Sequence, residues 1–232
     1  MNMQKNNDDV FNLILASTVH DMKNSLGMLG QSLKSIFEHI DPDAIDTKAS
    51  NLCGIVQYET SRVNNSLMQL LAIYKLENEQ LPFNPSYYNL YDFLDEQRLL
   101  HIPLLDAKKI ECEIEVEEDI DGVFDEPLLG TVLENIIGNA IRYTKTKIVI
   151  SCTQNDHLEI EIADDGSGYP EEMIKLAGSY IHGINQSSGS TGLGLFFAQK
   201  IAEMHKHKDK IGSIKLANGG PLGGGRFIIQ LP

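Results

Sequence analysis

The sequence is poor in cysteine and in long apolar runs, and each shortage argues against a class of protein. Its three cysteines, Cys53, Cys112 and Cys152, lie far apart and lack metal-ligand spacing. This argues against a disulfide or zinc framework and favours reduced thiols. No run approaches the ~20 apolar residues that span a bilayer, and the N-terminus lacks a signal-peptide core. We therefore expect a cytoplasmic protein without membrane insertion.

Basic residues are also scarce. The 232 residues include 19 Lys and Arg against 33 Asp and Glu, which gives a formal net charge of -14. A nucleic-acid-binding surface needs basic patches, so the charge argues against a nucleic-acid partner. It argues equally against docking on an anionic membrane.

Two long helices are predicted in the first third of the chain. The first covers residues 10–40, where apolar residues recur at alternating steps of four and three: Leu15, Val19, Met22, Leu26, Leu29, Leu33, Ile36 and Ile40. The segment Asp41-Pro42-Asp43 ends it, and Asp46-Thr47 can cap a second helix that fades near Glu77. The pair predicts an antiparallel hairpin whose uncovered stripes are buried by pairing of two copies into a four-helix bundle. The alternative is that the second domain covers these stripes.

A histidine lies beside the apolar seam of the first helix. His20 is followed by Asp21, and Asn24 lies one turn further on roughly the same side. A water-accessible imidazole next to a carboxylate and an amide can accept a transferred group. Taken alone, it is more typical of a solvated surface histidine.

The composition changes after residue 80. We predict a helical hairpin over residues 1–80, a linker over 81–88 with Pro82 and Pro85, and a second domain over 89–232. In that domain, alternating strands and amphipathic helices with hairpin connections predict an α+β sandwich, with a mixed sheet covered by helices on one face.

Three motifs in the second domain can bind a nucleotide. Asn135 and Asn139 share one face of a predicted helix with Arg142 a turn further, and two amides and a cation suit a magnesium–triphosphate. Asp164 ends a strand and is followed by Gly166 and Gly168, so that its carboxylate can accept from the amine of adenine. Each motif alone is also typical of an ordinary polar helix surface or turn.

The third motif is a glycine-rich turn that opens directly into a helix. It comprises Gly189 to Leu195 and includes Thr191, Gly192, Leu193 and Gly194. Backbone amides at a helix N-terminus form an anion site that fits nucleotide phosphates. The segment 169–190, between the second and third motifs, can close over a bound nucleotide as a lid.

Together these motifs resemble the catalytic core of a two-component sensor histidine kinase, over nearly the whole chain. His20 to Asn24 resembles the H box, Asn135 to Tyr143 the N box, Asp164 to Gly168 the D box, and Gly189 to Leu195 the later glycine box. The resemblance implies a dimeric histidine-phosphotransfer hairpin followed by an ATP-binding domain of the gyrase, Hsp90, histidine kinase and MutL (GHKL) type.

The resemblance also implies roles for individual residues. His20 is the phosphoacceptor, Asp21 orients its imidazole, and Asn24 positions a water that dephosphorylates the partner. Asn139 binds Mg2+ and Asp164 reads the adenine of ATP. The remaining nucleotide-binding positions are Asn135, Arg142, Tyr143, Gly166, Gly168, Thr191, Gly192, Leu193 and Gly194.

The implied function is autophosphorylation of His20 by ATP, then transfer to an aspartate of a response-regulator receiver domain. Ser25 stands where the family usually has a proline, which affects helix bending rather than chemistry. Nothing before the H box resembles a sensor domain, so we expect either that the input arrives through a separate sensor or input protein or that this chain is one part of a longer phosphorelay. One alternative is a non-catalytic phosphotransfer scaffold with a degenerate ATPase fold, and another is a related serine kinase.

Overall fold

The computed structural model describes residues 22, 24–32, 35, 47–117, 119–176 and 193–232, and the chain divides into two compact units, Met1–Leu81 and Pro82–Pro232. His20, Asp21, Thr191, Gly192 and residues 177–190 of the predicted lid lie outside the described residues.

In the first unit, residues 24–32 are helical and a long helix, α1, covers Thr47–Glu77. The predicted second helix is confirmed. Its apolar residues Val56, Val63 and Leu70 recur every seven positions and are 46%, 43% and 36% exposed. Such a stripe is typical of a helix that packs against a partner helix.

Helix α1 ends in a left-handed residue. Glu79 has φ of 57°, and the amide of Gln80 donates to the carbonyl of Lys75 over 2.7 Å. The amide of Glu79 donates to the carbonyl of Leu76 over 3.0 Å. This pair of bonds is the Schellman cap, which satisfies the last carbonyls of a helix.

The second unit contains the remaining helices and all the described strands. The helices are α2 (Leu90–Leu100), α3 (Ile102–Lys108), α4 (Glu126–Tyr143), α5 (Glu171–Leu176) and α6 (Leu193–Met204). The strands are β1 (Ser86–Asn89), β2 (Glu111–Glu115), β3 (Asp121–Phe124), β4 (Lys147–Gln154), β5 (Leu158–Asp164), β6 (Lys206–His207), β7 (Lys210–Ile211), β8 (Ser213–Asn218) and β9 (Gly225–Leu231).

The main sheet is mixed and has the order β2-β4-β5-β9-β8. Strand β2 runs parallel to β4, and the other neighbours are antiparallel. Buried and half-buried residues alternate along β4, so one face carries the core. The core lies between this face and the buried sides of α4 and α6, and its largest members include Leu129, Leu133, Ile136, Ile137, Phe197, Ile148, Ile150 and Phe227.

The fold class predicted for the second domain, an α+β sandwich with a mixed sheet, is confirmed. The start of α4 is also as predicted: Asp125 caps it by accepting the amide of Leu128, and Pro127 lies in its first turn. Because proline needs no amide partner there and its φ is already helical, it favours a helix start.

Some short elements were not predicted. Strand β1 overlaps the predicted linker 81–88 and pairs with β3 in a two-stranded sheet. Four-residue strands are too short to show a clear alternation. Pro103 does end α2, as predicted, but it also opens α3, since it stands in that helix's first turn.

Among the described residues, no helix combines the length and the apolar character that crossing a bilayer requires. Cys112 and Cys152 are free thiols, and burial raises the pKa of the Cys152 thiol to about 12.

Candidate functional site

The two asparagines of α4 lie side by side, as their spacing predicts. The Nδ2 of Asn139 donates to the Oδ1 of Asn135 over 3.2 Å. Asn139 is exposed, while Ile136, Ile137 and Ala140 bury the opposite side of the helix. The bond engages the nitrogen of Asn139 rather than its carbonyl oxygen. An amide oxygen of this kind is a hard ligand that suits Mg2+.

The last turn of α4 carries a cation. Arg142 and Tyr143 are both exposed, and the guanidinium carbon lies 5.6 Å from the centroid of the Tyr143 ring. The guanidinium is therefore held beside an aromatic ring at the helix end while its donors remain open to an anion.

The carboxylate of Asp164, the last residue of β5, is held in one orientation. Asp164 is only 8% exposed. Its Oδ1 accepts the amide of Gly166 over 2.7 Å and the amide of Gly225 over 3.1 Å. Two amides on one oxygen fix the plane of the group, which leaves Oδ2 to accept a hydrogen bond from a ligand amine.

Glycines surround this carboxylate because the backbone leaves no room for side chains. A Cβ on Gly166 would lie 2.4 Å from the carbonyl oxygen of Tyr143, and a Cβ on Gly224 would lie 2.4 Å from that of Asp164. Two glycine-bearing segments, at Gly166 and at Gly224 and Gly225, thus approach Asp164 with bare backbone. Bare backbone permits the close approach of a flat ring.

The loop after Asp164 is hydrogen-bonded to the end of β8. Gly168 has φ of +76°, a left-handed conformation that favours glycine. The Oδ1 of Asn218 accepts the amide of Tyr169 over 2.7 Å, and its Nδ2 donates to the carbonyl of Tyr169 over 2.8 Å. Burial and the charge of Asp164 raise the pKa of the Tyr169 phenol.

Helix α6 brings the glycine box to the asparagines. The helix begins at Leu193, as predicted, and Gly194 follows in its first turn. A Cβ on Gly194 would lie 2.2 Å from the Oδ1 of Asn135. The first turn of α6 therefore meets the polar face of α4. The amides in the first turn of a helix suit a bound anion.

Sequence reasoning missed Asp165, which binds the loop after α4. Its Oδ1 accepts the hydroxyl of Thr144 and the amide of Lys145, over 2.6 and 2.8 Å. Its Oδ2 accepts the hydroxyl of Thr146 over 2.5 Å, and the Thr146 amide donates to both oxygens. Burial alone would raise the pKa of Asp165, but the bonds from Thr144, Thr146 and Lys145 outweigh it and hold the pKa well below its usual value.

The structure therefore places Gly194 against Asn135, which bonds Asn139. It places Gly166 beside Asp164 and against Tyr143, the last residue of the same helix α4. Leu193 adjoins Gly194, Arg142 adjoins Tyr143, and Gly168 lies in the loop after Asp164. Asn24 is exposed on the helical segment 24–32 of the first unit. His20, Asp21, Thr191 and Gly192 lie outside the described residues, so their predicted roles stay predictions.

Comparison with known proteins supports this arrangement. Residues 124–232 match the family of histidine kinase-, DNA gyrase B- and HSP90-like ATPases. The sensor histidine kinase YvrG of Bacillus subtilis is 26% identical over 201 residues, which cover 82% of this chain and 34% of that protein. The sensor protein SrrB of Staphylococcus aureus is 27% identical, and its match covers all of this chain and 40% of SrrB.

Solved structures agree with the fold. The nucleotide-free catalytic domain of the histidine kinase ThkA has a TM-score of 0.54 at 25% identity, and covers 64% of this chain and 96% of that domain. Full-length ShkA with AMPPNP has a TM-score of 0.65 at 19% identity, and covers 94% of this chain and 45% of ShkA. The chain is thus similar to sensor histidine kinases, and its residues 124–232 match the ATPase family to which histidine kinases belong. It spans 34% and 40% of the length of YvrG and SrrB.

Proposed function

We propose that the chain is a histidine kinase core that binds ATP, phosphorylates His20, and passes the phosphoryl group to an aspartate of a response-regulator receiver domain. The observation that carries the proposal is the convergence described above. The fixed carboxylate of Asp164, the amide of Asn139 and the first turn of α6 at Gly194 supply three different chemistries from α4 and from two elements that contact it, β5 and α6.

These chemistries match the parts of ATP. The free Oδ2 of Asp164 can accept the exocyclic amine of adenine, which guanine lacks at that position. The guanidinium of Arg142 and the first-turn amides of α6, with Thr191 and Gly192 before them, suit phosphate oxygens. The likeness to ShkA, which was solved with AMPPNP, supports a nucleotide of this kind.

The residues present also fit Mg2+. Asn139 would hold it through its carbonyl oxygen, with Asn135 orienting the amide of Asn139. When bound, the metal would neutralise charge that develops on the phosphates.

In the proposed reaction a ring nitrogen of His20 attacks the γ-phosphorus of ATP. A P–N bond forms and the bond to the bridging oxygen of ADP breaks, so that ADP leaves. Asp21 orients the imidazole and stabilises the proton on its other nitrogen. The phosphoryl group then moves to a carboxylate oxygen of the receiver aspartate, which restores the free imidazole. Asn24, which is exposed, would position the water that later hydrolyses this acyl phosphate.

We also propose that two copies pair through the first unit. The stripe of Val56, Val63 and Leu70 on α1 is exposed in the single chain and repeats at the heptad interval. Pairing of two hairpins would bury it in a four-helix bundle.

The test is incubation of the full chain with γ-labelled ATP and magnesium beside His20→Gln and Asp164→Asn. We expect acid-labile, base-stable label on the wild type, none on His20→Gln, and little on Asp164→Asn because adenine binding is lost. Label that persists in His20→Gln would exclude the proposed acceptor. A wild type that neither binds ATP nor takes label would support a non-catalytic scaffold instead.

A further inference from the structure

Two buried polar residues of the second unit take no part in the proposed nucleotide site. Asp125 and His205 are each 4% exposed, although they are 80 positions apart in sequence. The amide of Asp125 donates to the Nε2 of His205 over 3.1 Å. Buried polar groups are costly unless they are bonded, so each partner here needs the other.

The contacts fix the tautomer of His205. Because Nε2 accepts an amide proton, the ring proton lies on Nδ1, which donates to the carbonyl of Ile201 over 2.8 Å. Burial lowers the pKa of His205, although the Ile201 bond and the Asp125 charge act in the opposite direction. The imidazole is therefore neutral, as its acceptor role requires.

The Asp125–His205 pair also contacts the segment with which the chain enters the second unit, at Phe83 and Asn84. The ring of Phe83 meets the ring of His205 edge to face, with centroids 4.9 Å apart and planes at 89°. The amide of Asn84 donates to the Oδ2 of Asp125 over 2.6 Å. The Oδ1 of Asp125 caps α4 at the amide of Leu128. Both carboxylate oxygens of Asp125 are thus engaged.

This contact leaves a very short free connection. Helix α1 is capped through Gln80, so only Leu81 and Pro82 lie between the cap and Phe83. Two residues span at most about 7 Å, and the φ of proline is fixed. Without the contact, the free connection would extend to β1 at Ser86, a span of about 17 Å.

We propose that Phe83 and Asn84, seated on the Asp125–His205 pair, form a linker clamp that positions the ATP-binding unit for phosphoryl transfer. The clamp acts through the length and direction of the connection rather than by touching the nucleotide. The phosphoryl-transfer part rests on the proposed function. The residues of the clamp are positioning residues, because none of them contacts the reacting groups.

The existence of the clamp can be tested without the reaction. Hydrogen exchange on the full chain should show a protected amide at Asn84, although its side chain is exposed. Phe83→Ala should speed this exchange and raise the pKa of His205 toward its ordinary value, as followed by NMR of the imidazole nitrogens. Tyr87→Ala is the matched control, since Tyr87 is aromatic, nearby and 81% exposed. Fast exchange at Asn84 in the wild type would overturn the clamp.

Its effect on the reaction is a separate measurement. Phe83→Ala should lower kcat for His20 labelling by about fivefold or more, because phosphoryl transfer is sensitive to displacements of about 1 Å. The KM for ATP should stay within about twofold, since the nucleotide residues are untouched. Tyr87→Ala should leave both values unchanged.

A second variant tests the effect of the length of the connection while the contacts of Phe83 and Asn84 stay intact. Two glycines inserted between Leu81 and Pro82 should reproduce the loss of kcat while Asn84 stays protected. Suppose that Phe83→Ala exposes the amide of Asn84 and that the insertion lengthens the connection, but that both variants keep the wild-type kcat. The positioning role is then wrong, whereas the proposed kinase function stands. If the wild type takes no label on His20, the proposed function fails and the positioning role fails with it, whereas exchange at Asn84 still decides the clamp.

Discussion

Asp165 offers the sharpest test of how the candidate site is held together. Its carboxylate accepts the hydroxyls of Thr144 and Thr146 and the amides of Lys145 and Thr146, at 2.5 to 3.1 Å. These bonds connect the end of the asparagine helix α4 to the strand end that carries Asp164. Asp165→Asn removes the charge and one acceptor oxygen while keeping the shape of the side chain.

The expected loss follows from the bonds that the amide cannot make. Asparagine keeps one acceptor oxygen, so the loss falls mainly on the bonds to the second oxygen, from the hydroxyl and amide of Thr146. Bonds to a charged acceptor contribute about 1.5–3 kcal/mol each, and partial exposure lowers this, so we expect a loss of about 2 kcal/mol. That corresponds to a fall in Tm of about 4–8 °C. ATP affinity should fall as well, because Asp164 is the next residue.

The pH dependence gives a second criterion. The pKa of Asp165 lies below its usual 3.8 in the folded protein. A lowered folded pKa stabilises the protein above the unfolded value, and this stabilisation is lost as pH falls toward the folded value. The difference between wild type and Asp165→Asn should therefore be constant from pH 7 to about 5 and shrink below that.

The assay is urea unfolding at pH 7, 5 and 4, with Asp156→Asn as the matched control. Asp156 lies exposed in the turn between β4 and β5, so the control makes the same charge change without the same bonds. Equal unfolding free energies for the two variants at pH 7 would refute the reasoning. So would a difference between wild type and Asp165→Asn that grows as the pH falls.

Three further substitutions, one of them with a control variant, test the nucleotide site by calorimetric titration with ATP and magnesium. Gly194→Ala should weaken binding about tenfold with little loss of stability, because the new Cβ, 2.2 Å from the Oδ1 of Asn135, displaces a movable amide. Gly224→Ala should lower both stability and affinity, since its Cβ meets backbone at 2.4 Å, whereas Gly223→Ala has open space and should cost about 1 kcal/mol from its φ of +79° alone. Asn139→Ala should bind ATP with an affinity that no longer rises with magnesium, and an unchanged magnesium dependence would exclude this ligand.

Local chemistry made much of the second unit predictable. A capping aspartate, a proline in the first turn and a buried apolar stripe define α4 within a short window. The alternation of apolar and polar residues defines β4 and β5 in the same way. Asp164 and Gly194 could be placed because each stands next to an element boundary that the pattern marks.

The contacts that hold the site could not be predicted, because their partners are distant in sequence. Gly225 bonds Asp164 from 61 positions away, and Asn218 bonds Tyr169 from 49 positions away. No periodicity links such positions, because the pattern of apolar residues in a segment indicates only which of that segment's own residues are buried. Asp165 was missed for a related reason: two adjacent aspartates look alike in sequence, and only the donors around them differ.

Helix α4 connects the linker clamp to the nucleotide site. Asp125 caps its first turn, and Asn139 and Arg142 stand in its last two turns. Its 18 residues extend over about 27 Å, and its inner face is sealed in the core, so it moves as one body. Phe83→Ala leaves this buried face intact and so should not displace the phosphate-binding end. Buried substitutions along α4 that tilt it should then alter both ends together, even where they touch neither.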